Sequence, residues 1–158
     1  MSKWKTGRRE EVNLEHIYNV LQEVVKSKNH KIIIGSDSVK LGYNFIFTNA
    51  ICVLNEEFYD RRYFYFRTKI KDDSYLDLSK RLLKETTDSL NIAMKIKDRL
   101  HNVNIEIHAD INPNTSHMSS RYSNMISGYI TGCGFAVKVK PQSFVASSIA
   151  DLHTRKRW

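Results

Sequence analysis

One short stretch, residues 31–38, constrains the fold of this chain more than any other; it reads Lys-Ile-Ile-Ile-Gly-Ser-Asp-Ser. Three consecutive β-branched residues predict a buried strand. At its end a carboxylate, Asp37, stands between the hydroxyls of Ser36 and Ser38. This pattern either carries an acid from the core to the rim of a sheet, where metal ions and phosphates bind, or simply begins a turn. Which of these two roles Asp37 has depends on whether later segments of the chain place further polar side chains beside it.

Length and composition limit the class of protein. The 158 residues predict one domain with a sizeable core. No run approaches the roughly 20 apolar residues that span a bilayer, and no signal-peptide core is visible, so we expect no membrane association. Cys52 and Cys133 are far apart and each lacks a neighbouring cysteine. We therefore expect a cytoplasmic protein with reduced thiols and without zinc.

The net charge of +8 favours an anionic partner, most commonly nucleic acid. Residues 1–12 are polar and basic and predict a flexible basic arm. Further basic residues cluster in the middle of the sequence and at its end. The clusters are Lys3, Lys5, Arg8 and Arg9; Arg61, Arg62, Arg67, Lys69 and Lys71; and Arg155, Lys156 and Arg157.

The first half of the chain predicts a helix followed by three strands. Asn13 is a candidate N-cap for an amphipathic helix over residues 13–29. Alternating segments at 31–37, 43–54 and 59–70, separated by turns at 41–42 and 55–57, predict an antiparallel meander. The third strand carries a row of aromatic and basic side chains. This row either contacts nucleic acid or is the solvated face of an edge strand.

The second half predicts helices alternating with strands. Helical periodicity covers 75–100, a strand covers 103–110, a helix begins after residues 112–115, a short strand covers 135–140, and a last helix covers 144–155. Since a crossover helix precedes it, the 103–110 strand should lie parallel to the first strand. Asp37 and Asp110 would then share the carboxyl edge of neighbouring parallel strands.

Glu85 lies in the long helix at the edge of its apolar arc, in the same column as Ile92 and Ile96. One interpretation turns its carboxylate toward the sheet, where it needs a partner or a metal ion. In the other interpretation, the Glu85 carboxylate extends into solvent at the border of the apolar arc. Glu106 in the following strand is a weaker candidate for the same role.

The order of elements and the positions of the acids Asp37, Glu85, Asp110 and Asp151 resemble the ribonuclease H-like superfamily, and most closely its YkuK family. The resemblance covers residues 31–155. It is carried by Ile-Gly-Ser-Asp-Ser at 34–38, by Ile-His-Ala-Asp-Ile-Asn at 107–112, and by the segment 139–151, which contains Val-Lys-Pro-Gln-Ser-Phe and Ala-Ser-Ser-Ile-Ala-Asp. It implies a single α/β domain over 13–158 with a mixed five-stranded sheet, three strands antiparallel and then two parallel. Helices flank this sheet, and the N-terminal helix is an addition.

The resemblance also implies a nuclease that holds two divalent ions on its carboxylates. Hard ions such as Mg²⁺ or Mn²⁺ prefer oxygen ligands, and a pair of ions supports both the attacking and the leaving oxygen of a phosphodiester. Four crowded acids need positive counter-charge, since repulsion raises their pKa values. By analogy, Asp37 bridges both ions, Glu85 and Asp110 bind one, and Asp151 binds the other.

Further residues have expected roles around these acids. His108 either moves a proton near the scissile phosphate or is a satisfied strand histidine, and His153 either lies near the ions or faces solvent. Ser36 and Ser38 are expected to orient Asp37 or to bind phosphate. The expected contacts to the substrate backbone come from basic side chains. These are Lys138, Lys140 and Arg155.

The expected function is metal-dependent hydrolysis of phosphodiester bonds in RNA, RNA–DNA hybrid or structured DNA. The alternatives are a non-catalytic nucleic-acid-binding module on the same fold and a structural protein. A Ser-His-Asp hydrolase is disfavoured because the chain lacks a G-x-S-x-G sequence. The sequence contains no base-reading motif and does not indicate an oligomeric state.

Overall fold

The computed structural model describes residues 3–55 and 60–155. The predicted turn residues Glu56 and Glu57, the predicted strand residue Tyr59, and the basic residues Lys156 and Arg157 lie outside these ranges. The strands are β1 (Trp4–Thr6), β2 (Glu11–Val12), β3 (His30–Leu41), β4 (Asn44–Asn55), β5 (Asp60–Ile70), β6 (Ile105–His108) and β7 (Ala136–Lys138). The helices are α1 (Leu14–Val24), α2 (Leu78–Arg99), α3 (Ser123–Gly132), a π-helix (Val145–Ala150) and α4 (Asp151–Thr154), with 3₁₀ turns at Asp73–Leu76 and Met118–Tyr122.

The described strands form one mixed sheet in the order β2-β1-β5-β4-β3-β6-β7. β3, β4 and β5 make the predicted antiparallel meander. β6 runs parallel to β3, and β7 runs parallel to β6. The α/β class and the pairing of β3 to β7 agree with the sequence analysis, but the expected count of five strands is wrong because seven strands are present in the described residues.

The two unexpected strands come from the basic N-terminal segment. β1 pairs with β5, and β2 pairs back onto β1, so residues 4–12 form a hairpin on the sheet edge instead of a flexible arm. Trp4 anchors this hairpin: it is buried, and its ring packs edge-on against Phe66 at a centroid distance of 4.5 Å. The hydroxyl of Thr6 accepts hydrogen bonds from the backbone N–H groups of Arg8 and Glu10 and so closes the turn.

Capping side chains and apolar stripes explain the two longest helices. Asn13 Oδ1 accepts a hydrogen bond from His16 N at 2.8 Å, as predicted, although α1 ends at Val24, before residue 29. Asp77 Oδ1 caps α2 through Ser79 N at 2.9 Å. The helix predicted over 75–100 is therefore a 3₁₀ turn followed by α2. No helix within the described ranges has both the length and the hydrophobicity needed to cross a membrane.

Helices cover both faces of the sheet. On the first face, Ile32 and Ile34 of β3 pack with apolar residues of α1, α2 and α3 in the main hydrophobic cluster. On the second face, Ile33 packs with Val145 and Ala150 of the C-terminal segment, which we define as residues 143–155. Successive residues of β3 alternate between the two layers, as the pleat of a strand requires. Side chains from either face can therefore reach the rim of the sheet.

β3 is longer than predicted and continues to Leu41, four residues past Asp37. It pairs with β4 along its whole length, from His30 with Asn55 to Leu41 with Asn44. Gly42, with φ of +60°, supplies the left-handed conformation of the turn between them. Asp37 therefore lies within a strand and not at its end.

The C-terminal segment packs directly on the backbone of β3. A Cβ atom added to Gly35 would lie 2.6 Å from Ala146 N and 2.9 Å from the carbonyl carbon of Val145. Both atoms belong to backbone and cannot move aside as a flexible side chain would. Glycine at position 35 is thus required for close contact between the strand and this segment.

We predict that Gly35→Ala destabilises the protein by about 1–3 kcal/mol, because it overpacks a backbone contact. Equilibrium unfolding in urea measures the loss. Gly128→Ala is the matched control: no heavy atom lies within 4 Å of its added Cβ in α3, so it should keep or slightly raise stability. Equal stability of Gly35→Ala and the wild type would contradict the close approach.

Candidate active site

Two of the four predicted acids meet because of the parallel pairing of β3 and β6. Gly35 is the register partner of His108. Asp37 and Asp110 each follow two residues later in the same direction, so both carboxylates lie at one rim of the sheet. After burial, the charge of Asp110 is the largest influence on the pKa of Asp37, so the two carboxyl groups lie close together. The predicted proximity of these two acids is present in the structure.

Glu85 reaches the same rim from α2, on the first face of the sheet. It is only 8% exposed, and its Oε1 accepts a hydrogen bond from Ser38 Oγ at 2.5 Å. The interpretation in which Glu85 turns toward the sheet is therefore the one that the structure adopts. Ser38 orients the Glu85 carboxylate, whereas its expected role from the sequence was to orient Asp37 or to bind phosphate.

Asp151 arrives from the second face as the first residue of α4. The preceding π-helix makes wider turns than an α-helix, and such turns often occur at functional sites. Thr154, one turn after Asp151, is fully buried, and its hydroxyl donates a hydrogen bond to Ala150 O at 2.8 Å. The four carboxylates thus gather at one rim from two strands and from helices on opposite faces.

Burial and mutual repulsion dominate the electrostatics of this cluster. Burial, followed by the charges of Asp110 and Asp151, raises the pKa of Asp37 from 3.8 to about 8. The pKa of Glu85 is also raised well above its ordinary value, first by burial and then by the charge of Asp37. Without a counter-ion, Asp37 therefore retains its proton at neutral pH.

Two basic side chains partly neutralise the outer acids. Lys140 Nζ lies 2.8 Å from Asp110 Oδ1, and Arg155 Nε lies 2.7 Å from Asp151 Oδ1. The lysine approaches at an angle unsuited to a hydrogen bond, so the buried Oδ1 of Asp110 has no aligned donor among the described residues. Lys138 of β7 is exposed nearby in sequence. Two cations therefore balance a cluster that, when ionised, carries four negative charges.

The donor set suits a hard divalent cation. Carboxylate oxygens are the ligands that Mg²⁺ and Mn²⁺ prefer, and Asp110 Oδ1 is a buried oxygen that accepts no aligned hydrogen bond from the described residues, although Lys140 Nζ lies 2.8 Å away. Within residues 3–55 and 60–155, no three His, Cys, Asp or Glu side chains are already arranged as the ligands of a single ion. In the structure, Glu85, Asp110 and Asp151 are instead turned toward Ser38, Lys140 and Arg155.

Ser36 is not placed to bind nucleic acid, contrary to the expectation from sequence. It is 4% exposed, and its hydroxyl is held between Asn49 Oδ1 at 2.5 Å and Ser89 Oγ at 2.7 Å. Because β3 alternates between the two layers, Ser36 points toward α2 while Asp37 points to the other face. It joins β3, β4 and α2 in a buried polar cluster below the acids.

His108 is a buried anchor for the C-terminal segment. Its Nδ1 accepts a hydrogen bond from Val145 N at 3.2 Å, so its Nε2 carries the proton that it donates to Glu106 Oε1 at 2.8 Å. Burial lowers the pKa of His108 and favours this neutral form. Lys31 Nζ lies 3.5 Å from the other oxygen of Glu106. With both ring nitrogens engaged, His108 positions the segment that carries Asp151, and the expected proton transfer has no free nitrogen here.

His153 fastens the other end of this segment. Its ring stacks on Tyr65 at a centroid distance of 3.6 Å, and its Nε2 contacts Tyr63 Oη at 3.0 Å. Part of the aromatic row on β5 is therefore buried under α4 and does not face solvent or nucleic acid. Sequence reasoning missed this role of Tyr65. Only the period-2 alternation of β5 hinted at a second buried face.

The comparison with known families agrees with this architecture. A family model described as ribonuclease H-like matches residues 13–155. The chain belongs to this family, which confirms the assignment that the sequence motifs indicated. The comparisons with curated proteins and with solved structures gave no match.

The contribution of Asp37 to the stability of the metal-free protein should fall as pH rises from about 4 to about 8. Asp37 binds its proton more tightly in the folded chain than in the unfolded chain, where its pKa is near 3.8, so raising the pH through this window favours unfolding. Urea unfolding at several pH values in the presence of a chelator measures the slope. Asp37→Asn should reduce the slope, and Asp98→Asn, an exposed site in α2, should keep it. Identical slopes for all three proteins would contradict the shift.

His108→Leu should lower the free energy of unfolding by about 2 kcal/mol, because it leaves the buried Val145 N–H without its acceptor and removes a partner of Glu106. Thermal and urea unfolding measure the loss. The control is His101→Leu, at an exposed position where about 0.5 kcal/mol or less is expected. Equal effects of the two substitutions would contradict the anchoring role.

Proposed function

We propose that this protein is a metal-dependent nuclease that hydrolyses phosphodiester bonds in RNA, RNA–DNA hybrid or structured DNA. The observation that carries the proposal is the gathering of Asp37, Glu85, Asp110 and Asp151 at one rim of the sheet. Burial and repulsion make this arrangement costly to fold. A protein gains from such a cluster only where something positively charged binds to it.

The proposed cofactors are two Mg²⁺ or Mn²⁺ ions. Asp37, the central acid, lies near Asp110 and Asp151 and would contact both ions. Glu85 and Asp110 would hold one ion and Asp151 the other. When bound, such ions supply an activated water and stabilise the negative charge that develops on the phosphate and the leaving oxygen.

The remaining polar residues hold this arrangement in place. Ser38 fixes the carboxylate of Glu85. The His108–Val145 hydrogen bond and the His153–Tyr65 stack set the position of the C-terminal segment, which carries Asp151. Preorganised side chains of this kind lower the cost of bringing ligands and substrate into register.

Basic side chains at the rim are the proposed contacts to the nucleic-acid backbone. The side chains of Lys140 and Arg155 are 39% and 73% exposed while paired with Asp110 and Asp151. They are close enough to the acids to bind a phosphate next to the scissile one. Lys138 is exposed on β7 and extends the same positive surface. Such contacts position the backbone without reading bases.

The alternative is a nucleic-acid-binding module that keeps the fold without turning over. Replacing one acid separates the two functions, because a carboxylate repels phosphate but is needed to hold a cation. Asp37→Asn should tighten the binding of nucleic acid by a pure binder. In a nuclease, the same change should abolish cleavage and leave folding intact.

The test uses wild type, Asp37→Asn, Asp110→Asn and the control Asp98→Asn. Each is incubated with labelled RNA, hybrid, single-stranded DNA and branched DNA, with Mg²⁺, with Mn²⁺ or with chelator. We expect metal-dependent cutting by wild type and Asp98→Asn, and losses of several orders of magnitude in the other two. Metal titration calorimetry on the same proteins should show weaker binding for Asp37→Asn. Cutting that persists in both site variants, or wild-type binding without cutting on every substrate, would contradict the proposal.

A further inference from the structure

The sheet extends beyond the acid cluster. β3 and β4 continue past Asp37 as a hairpin over residues 38–47, which we call the β3–β4 overhang, and the end of β5 pairs with it up to Ile70. From Asp37 to Leu41, the extension is ~13 Å long at ~3.3 Å per residue. It therefore projects beyond the rim that carries the acids.

The register of the strands shows which side chains share the face of Asp37. Asp37 is aligned with Thr48, and Thr48 with Arg67. Two residues further on, Val39, Ile46 and Lys69 form the next row, and Leu41 is aligned with Asn44. Directly paired residues point to the same face of a sheet. Leu41 and Lys69 thus face the same side as Asp37, whereas Lys40, aligned with Phe45, faces the other side.

The end of the overhang presents an aromatic ring beside a cation. Tyr43 is 81% exposed and Leu41 is 41% exposed. Lys71 Nζ lies 6.0 Å from the centroid of the Tyr43 ring, and Lys69 and Lys71 are both exposed. Neither Leu41 nor Tyr43 belongs to a hydrophobic cluster of the described residues. The ring is thus available for contact with a ligand.

We infer that Leu41, Tyr43, Lys69 and Lys71 form a platform for an unpaired segment of the nucleic-acid substrate, with a base stacked on Tyr43 and the backbone along the two lysines. The inference rests on the proposed function for the chemistry at Asp37. An exposed ring next to cations is the combination that binds single strands without base reading, since every base has a flat π-face. In a duplex those faces are already stacked on one another, so the platform selects an unpaired segment.

The distance between the platform and Asp37 sets a length requirement. Stacked nucleotides advance ~3.4 Å each, so ~13 Å corresponds to about four nucleotides between the cut and the base on Tyr43. A substrate must extend at least this far on one side of the scissile bond to use the platform. Shorter substrates should be bound by the rim alone.

The test measures binding of labelled single strands of about 12 and about 3 nucleotides and of a blunt duplex, in an Asp110→Asn background so that cleavage does not interfere. Tyr43→Ala should weaken binding of the long strand about tenfold, with Tyr43→Trp restoring it. Lys69→Ala combined with Lys71→Ala should weaken it further and lower the slope of log affinity against log salt by about 1.4. Binding of the short strand should be unchanged by Tyr43→Ala, by Tyr43→Trp and by the combined lysine substitutions. Lys40→Ala, on the opposite face of the same hairpin, is the matched control and should leave affinity unchanged.

The outcomes separate this inference from the function proposed above. If wild type cuts the long strand, and the platform variants bind it like wild type and also cut it like wild type when made without Asp110→Asn, the platform is wrong and the nuclease stands. If the variants lose binding of the long strand but wild type cuts nothing, the platform stands and the catalytic proposal fails. Equal losses on the duplex, or selective capture of an acidic peptide in place of oligonucleotides, would overturn the assignment to an unpaired strand.

Discussion

The candidate site depends on the contact between the C-terminal segment and the backbone of β3 at Gly35. Asp151 belongs to this segment, and its charge acts on Asp37, which is two residues beyond Gly35 along the same strand. The segment can approach only because position 35 has no Cβ. The His108–Val145 hydrogen bond and the stack of His153 on Tyr65 fasten it on either side. A small displacement of this contact would separate Asp151 from the other acids.

This contact has to withstand a repulsive force that the site itself creates. Four acids at one rim oppose one another, and burial adds to the cost for Asp37 and Glu85. Apolar packing of Ile33 with Val145 and Ala150 holds the second face together against this repulsion. The neutral His108 contributes by binding without adding charge. Proton retention at Asp37 and the ion pairs of Lys140 and Arg155 reduce the remaining repulsion, and divalent cations would replace these partners.

Sequence patterns were sufficient for the features that follow from chain direction and periodicity. The crossover rule placed β6 parallel to β3, and this alone brought Asp37 and Asp110 to one rim. The position of Glu85 at the edge of the apolar arc of α2 was compatible with a carboxylate turned toward the sheet. It did not decide between the sheet and solvent, because a side chain at that edge can extend in either direction. The depth of burial of Glu85 is set by the distance between α2 and the sheet, which no local pattern encodes.

Features that depend on pairing partners were not predictable. β1 and β2 have three and two residues, which is too few for a periodic hydrophobic pattern. They are held on the sheet because Trp4 packs against Phe66 on β5. Ser36 looked like a rim residue because a hydroxyl after a glycine resembles a strand end. Its burial follows from Asn49 on β4 and Ser89 on α2, which are distant in sequence.

The length of β3 links the fold to the proposed substrate. Residues 38–41 look like a loop because they are partly polar, but β4 and β5 supply partners for the whole strand and keep it extended past the acids. The acids themselves repel a polyanion, so binding near them requires positive charge on the neighbouring surface. Lys140 and Arg155 supply it at the rim, and Lys69 and Lys71 supply it along the overhang. Under the proposed function, the net charge of +8 would therefore act through its position around the acids, where it would hold a substrate that they otherwise repel.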